Sequence, residues 1–196
     1  ASESVRYLFR DEPAKYPDFT GKEADPFSLS EVRLNAYKNI SKIIDFSTPN
    51  LDGDAFDLIF REEADETRVY HARCPFCHTY QVMTDERIHA AGVRDPGSIR
   101  RRKLARYTCE HCGVEWDDWR RDQAVKAGRW EPIEKVDRPR CVAFGPLPSW
   151  YSPFVSLSDV LAAFFQAKED PGRFMSFVTQ HKCQAWMDRV EPKETI

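Results

Sequence analysis

Arg68-Val69-Tyr70-His71-Ala72-Arg73-Cys74-Pro75-Phe76-Cys77 is the stretch that decides how this chain is read. Six residues of alternating character predict a β-strand, and that strand runs straight into two cysteines two residues apart. A second pair, Cys109-Glu110-His111-Cys112, repeats the spacing beyond residue 108. A tight turn with this spacing offers both thiolates to one ion, and two such turns supply the four sulfurs of a tetrahedral structural Zn²⁺ site. Cys74, Cys77, Cys109 and Cys112 are therefore the candidate metal ligands. Four soft sulfurs favour zinc and leave no coordination position open, so the expected role is to hold two hairpins that lack a core of their own. His71, His78 and His111 lie close enough in sequence to substitute, but four cysteines suffice.

Composition sets the outer bounds. The chain has 196 residues, 41% of them hydrophobic and 13% aromatic, which is globular and not disordered. The longest apolar runs are too short to span a bilayer and no signal peptide is present, so a soluble protein of the cytoplasm is expected. In that compartment six cysteines point to metal rather than disulfides. Cys141 and Cys183 fall outside the pairs and read as buried apolar thiols. A net charge of −3 is not that of a stand-alone nucleic-acid binder. The cations are nonetheless clustered, and Arg100, Arg101, Arg102, Lys103 and Arg106 form the candidate nucleic-acid contact, set against the plainer reading of a solvated loop. The sequence opens at Ala1 as if inside a domain, so a segment of a longer protein is expected.

The pattern along the chain is α/β. Val5 to Phe9 predicts a strand running into Asp11-Glu12 and Pro13; residues 16–26 read as loop; Ser28 opens a helix; Ser41 to Phe46 predicts a buried strand ending at Ser47-Thr48-Pro49. Strand, acidic pair, helix, strand and small hydroxyl residues suggest a parallel sheet, giving a first unit over 1–64. The cysteine-bearing strands occupy 65–134, with Asp117 capping a helix that Gly128 stops. A strand at Cys141 to Phe144 and two helices fill 135–196. Ser158 caps the first of these helices, Pro171-Gly172 ends it, and the second buries Phe174, Phe177, Val178 and Trp186 between about Arg173 and Asp188.

Two further constellations bear on chemistry. In ATP-hydrolysing folds an Asp at a strand end holds Mg²⁺ through water, and the Glu after it orients or deprotonates the attacking water, which makes Asp11 and Glu12 catalytic candidates. Ser47 and Thr48, at the end of the next strand, are placed to sense a γ-phosphate, although Ser-Thr-Pro is also ordinary turn chemistry. No G-x-x-x-x-G-K-[ST] loop occurs; Thr20-Gly21-Lys22-Glu23 lacks the first glycine and the hydroxyl residue.

These residues together resemble the large terminase subunit of tailed bacteriophages, the GpA class. Arg10-Asp11-Glu12-Pro13-Ala14-Lys15-Tyr16-Pro17 is similar to that family's Walker B strand and its D-E-x-x-x-Y-P, although Arg10 stands where an apolar residue is usual. Ser47-Thr48-Pro49-Asn50 with Gly53 resembles the coupling motif S-T-P-T-x-x-G. Asp65 to Cys77 and Tyr107 to Gly113 look like the family's two cysteine motifs, and Gly128-Arg129-Trp130 its G-x-W. The order is collinear over nearly the whole chain.

The resemblance implies an ATP-driven motor and endonuclease that cuts double-stranded DNA and packages it into procapsids. The fold it implies is the C-terminal part of a P-loop ATPase sheet, an inserted zinc ribbon, and helices leading toward a nuclease domain outside this sequence. Asp11 would serve Mg²⁺, Glu12 catalysis, and Ser47 and Thr48 the coupling of ATP hydrolysis to movement. Expected partners are DNA, a small terminase subunit, the portal or procapsid, and further copies of the chain. The alternative is a non-catalytic zinc module that binds DNA or a packaging protein.

Overall fold

The long strand predicted before the first cysteine pair organises most of the molecule. A computed structural model of the chain covers residues 3–16, 24–168 and 170–187. The expected loop at 17–23, and Asp188 at the end of the second expected helix, lie outside the described residues.

β1 (Tyr7–Asp11) and β2 (Lys42–Phe46) pair in parallel, with Arg10 opposite Asp45 and Asp11 opposite Phe46. β1 thus continues two residues beyond the apolar run and carries the first acidic residue inside the strand. Parallel strands need a crossover. Here it contains α1 (Pro26–Glu31), capped by Asp25, whose carboxylate accepts from Ser28 N, followed by a 3₁₀ stretch over Val32–Tyr37. Tyr7, Phe9, Ile43, Ile44 and Phe46 are all exposed, so apolar residues show on both faces of this pair.

β3 (Glu66–Arg73) pairs antiparallel with β4 (Tyr80–Gln81) and β8 (Arg129–Pro132), and its first residues pair in parallel with β9 (Val142–Phe144). A second sheet has the order β5 (Ile88–His89), β6 (Arg106–Thr108), β7 (Glu115–Trp116). The sheets share one apolar core with α5 (Leu157–Ala167): Ala72, Cys74, Met83, Ile99, Tyr107, Cys109, Trp116, Trp150, Leu157, Val160 and Phe177 lie in a single cluster that crosses residue 134. Tyr107 and Trp116, paired across β6 and β7, stack 4.9 Å apart at its centre. The fold is mixed α/β, with parallel and antiparallel pairing in one chain.

Several local expectations are refined. Asp117 caps α4 (Asp118–Lys126) as read, accepting from Arg120 N at 2.9 Å. Between Arg87 and Lys103 the short helix is α3 (Pro96–Arg102), capped by Asp95. The cap of α5 is Ser156, not Ser158. Ser158 is the second residue of the helix, buried within its first turn, and accepts from Ala105 N at 3.1 Å. Pro171 does not end a helix but starts one: Asp170 caps α6 (Pro171–Ser176), where a proline in the first turn wastes no N–H. That helix gives way to a π turn over Phe177–His181, and Trp186 forms a bridge to Leu51 instead of continuing it. Cys141 and Cys183 are half-buried rather than buried, and desolvation raises both thiols.

Gly128 follows α4 for a reason of space. A Cβ there would lie 2.5 Å from the His71 carbonyl oxygen and 2.6 Å from the Tyr70 ring, while the Tyr70 hydroxyl donates to Val125 O at 2.7 Å. Gly128→Ala is therefore expected to destabilise the chain by about 1–3 kcal/mol through overpacking. Thermal melting measures this; an unchanged midpoint would mean that α4 and β3 can separate at no cost.

Candidate functional site

The two cysteine turns are copies of one geometry. In the first, Cys74 N donates to Thr79 O at 2.9 Å and His78 N to Cys74 O at 3.0 Å. In the second, Cys109 N donates to Val114 O at 3.0 Å and Gly113 N to Cys109 O at 3.1 Å. Each turn closes on a left-handed residue, His78 with φ 61° and Gly113 with φ 71°. Cys74 and Cys109 end up buried, while Cys77 and Cys112 stand further out.

All four sulfurs lie within 4.8 Å of one another, with Cys74 Sγ 3.8 Å from Cys112 Sγ and Cys77 Sγ 3.9 Å from Cys109 Sγ. Zinc–thiolate bonds of about 2.3 Å in a tetrahedron require sulfur separations of about 3.8 Å. The donors around the sulfurs fit thiolates as well. Phe76 N and Cys77 N each donate to Cys74 Sγ at 3.4 Å, and the buried Gln81 donates through Nε2 to Cys109 Sγ at 3.3 Å. Gln81 Oε1 in turn accepts from Glu110 N at 2.8 Å, which fixes the amide. Burial pushes the Cys74 thiol up to about 12, whereas hydrogen bonds with Thr79 pull Cys77 down to about 6. This donor set suits a soft divalent ion such as Zn²⁺. None of the three neighbouring histidines belongs to it, and Gln81, outside both cysteine pairs, carries no signal in the sequence for this role.

The second site lies where β1 and β2 end. Asp11 closes β1 and is exposed; among the described residues its carboxylate has no hydrogen-bond or ion-pair partner. Glu12 takes a left-handed conformation, φ 52° and ψ 45°, that turns the chain off the strand. Its N–H donates to Phe46 O at 2.9 Å, carrying the ladder one residue past the end of β1. Its carboxylate pairs with Lys15 Nζ at 2.7 Å and accepts from Thr48 Oγ1 at 3.4 Å. Ser47 Oγ accepts from Ala14 N at 3.2 Å and donates to Thr48 O at 3.2 Å. The acidic pair and the hydroxyl pair, 36 residues apart, thus meet at the carboxyl ends of two parallel strands, which is where open α/β sheets bind ligands.

Behind them Arg10 has a use. It is 4% exposed, and Nε and Nη2 grip Asp45 Oδ1 and Oδ2 at 2.6 Å each while Nη1 reaches Glu31 at 2.9 Å. Its guanidinium also lies over the Phe27 ring, 4.5 Å from the centre. The residue that departs from the apolar pattern of β1 ties β1, β2 and α1 together.

The basic cluster is only partly available. Arg100 pairs with Asp159 at 3.3 Å and donates to Gln166 at 3.0 Å, and Arg106 donates to the Lys103 and Ala105 carbonyls. Lys103, in the left-handed region, ends α3. Arg100 and Arg106 thus serve the fold, leaving Arg101, Arg102 and Lys103 as the cations turned to solvent.

Comparison with known proteins agrees with the motif order. The chain is 25% identical over 209 aligned residues to the "Terminase, large subunit" of Escherichia phage lambda, covering 95% of this chain and 31% of that protein. The chain therefore spans about a third of the relative's length. No solved structure matches it. No helix among the described residues is long and apolar enough to cross a membrane. The family model for the phage terminase large subunit gpA, ATPase domain, matches residues 1–130, taking in both the strand-end carboxylates and the four cysteines, and the chain belongs to that family.

Proposed function

We propose that this chain supplies the Walker B strand and the coupling strand of an ATP-driven DNA-packaging motor, braced by a structural zinc ribbon. The observation that carries this is the meeting of Asp11 and Glu12 with Ser47 and Thr48 at the carboxyl ends of β1 and β2, with Thr48 Oγ1 3.4 Å from Glu12 Oε1. Asp11 would hold Mg²⁺, which when bound would supply charge neutralisation on the transferred phosphoryl group. Glu12 orients the attacking water and accepts its proton. Lys15 and Thr48 each hold one of its carboxylate oxygens. Thr48 leads directly into the segment before α2 (Ala55–Leu58), so a change at Glu12 has a short path out of the nucleotide site.

In the longer protein this reading implies ATP as fuel, double-stranded DNA as cargo, an endonuclease beyond these residues, and assembly with a small subunit, a portal or procapsid, and further copies in the host cytoplasm. Its support is the family match and the lambda relative. The test uses the intact terminase subunit: Glu12→Gln is expected to lower ATP turnover about 10²- to 10⁴-fold while leaving nucleotide affinity within about threefold. Undiminished turnover would remove Glu12 from the mechanism.

A further inference from the structure

The antiparallel register sorts the side chains of the β4-β3-β8 sheet onto two faces. Alternate residues of a strand point to opposite sides, and directly paired residues share a side. Ala72 is fully buried and pairs with buried Gln81, and Tyr70 pairs with Trp130; these form the core face. The other face takes Val69, His71 and Arg73 from β3, Tyr80 from β4, and Arg129 and Glu131 from β8.

That outer face concentrates cations on one ring. The Arg129 guanidinium lies 4.0 Å from the centre of the Tyr80 ring and that of Arg73 5.7 Å from the same centre. His71 is beside them. The one carboxylate that these three strands place on this face among the described residues, Glu131, pairs with Arg129 and sits 3.6 Å from His71 Nδ1. Arg73 Nε donates to His78 O at 3.3 Å. A guanidinium stacked on an aromatic ring uses its face and keeps in-plane N–H groups for an anion, and it arrives with little side-chain freedom left to lose. Arg129 gives Nε and Nη2 to Glu131 and keeps Nη1, whereas Arg73 gives only Nε to His78 O and keeps both Nη groups. Both are borne on paired strands, not on a loop. Directly beyond Arg73, the first cysteine turn repeats the chemistry: Arg120 lies 5.6 Å from the Phe76 ring centre and 5.9 Å from that of Trp119, and both rings are exposed. The Arg100–Arg106 run shows no such organisation.

We propose that the outer face of this sheet, through Arg73 and Arg129 stacked on Tyr80, is a contact for the phosphate backbone of double-stranded DNA. The proposal rests on the reading of the chain as part of a DNA-packaging motor and replaces the Arg100–Arg106 run as the principal contact. Charge complementarity selects the partner: two guanidiniums ordered on one ring against one carboxylate of the same strands, in a chain whose net charge is −3. Contacts of this kind read no sequence, as a translocating motor requires.

The test is fluorescence anisotropy of a labelled 30-base-pair duplex titrated with the full chain across a salt series. Each phosphate contact contributes about 0.9 to the log–log salt slope, or about tenfold in affinity at 50 mM salt. Arg73→Gln with Arg129→Gln is expected to weaken binding about 100-fold and to flatten the slope by about 2. Arg129→Gln alone, away from the cysteines, is expected to weaken it about tenfold. It decides the matter if the double variant loses zinc or melts early. Replacing Arg101, Arg102 and Lys103 together with Gln is expected to cost less than about threefold. Wild-type affinity in Arg129→Gln, or a large loss only in the triple variant, overturns this proposal and leaves the motor reading standing. Absence of duplex binding by the unaltered chain, or preference for a single-stranded oligonucleotide, overturns the proposal and counts against the motor reading as well.

Discussion

The purified chain is expected to carry one zinc per molecule, and Cys74→Ser or Cys109→Ser to reduce that content to a tenth or less and to unfold both cysteine hairpins. The hairpins explain the size of the effect. β4, β5 and β7 have two residues each, too few to persist unaided, and each hairpin meets the other through its sulfurs. Structural zinc contributes on the order of 10 kcal/mol in small domains, comparable with the whole net stability of a typical protein. Removal also reaches the shared core, because Cys74 and Cys109 are packed in it with Ala72, Tyr107 and Trp116. Mass spectrometry under native conditions and thermal melting with and without chelator measure both effects. Stoichiometric zinc retained in both serine variants would take these cysteines out of the ligand set. Gln81→Leu, which keeps the sulfurs but removes the amide donor to Cys109, is expected to weaken zinc about 10- to 100-fold without abolishing it.

The second large effect is expected at Arg121, fully buried on α4. Its Nη1 donates to Trp150 O at 2.7 Å, Nη2 to Val155 O at 3.0 Å, and Nε to Asp122 at 2.7 Å, so one guanidinium holds the segment before α5 against α4. Arg121→Met keeps most of the volume but strands two carbonyl oxygens, each at about 1–3 kcal/mol. The sum, about 2–6 kcal/mol, corresponds to roughly 4–24 °C in the melting midpoint for a chain of this size. Arg120→Met is the control: one residue earlier on the same helix, its pair with Asp117 at 3.1 Å is solvent-exposed and worth about 0–1 kcal/mol. Equal shifts for the two variants would show that the buried network contributes nothing particular.

Neighbouring arginines with such different roles mark the limit of what the sequence discloses. Signals carried by adjacent residues were legible: the parallel strands, the cysteine turns, the Asp117 cap, and the meeting of Asp11-Glu12 with Ser47-Thr48, which follows once both strands are recognised. Signals settled by distant contacts were not. In Ser156-Leu157-Ser158 either serine can cap a helix. Ala105 N, 53 residues from Ser158, is what claims that hydroxyl and leaves the cap to Ser156. Pro171 is compatible with the end of one helix or the start of the next, and Asp170, accepting from Arg173 N at 3.0 Å, settles which. Arg10 reads as a fault in an apolar strand until Asp45, 35 residues away, lies opposite it. A run of five cations looks like an anion site by charge alone, yet two of them are engaged within the fold, while the better-organised guanidiniums are scattered over positions 73 and 129.

The pairing of β9 with β3 has a mechanical consequence. The two strands run in the same direction, with Glu66 opposite Val142 and Arg68 opposite Phe144. The chain enters this pair at the start of β3 and leaves it at the end of β9, at opposite ends of the ladder. Tension between β1 and β2 upstream and the segments downstream therefore acts along the ladder as shear. Its hydrogen bonds must yield together, instead of opening one at a time like a zipper. A junction loaded in that way passes force along the chain instead of peeling apart.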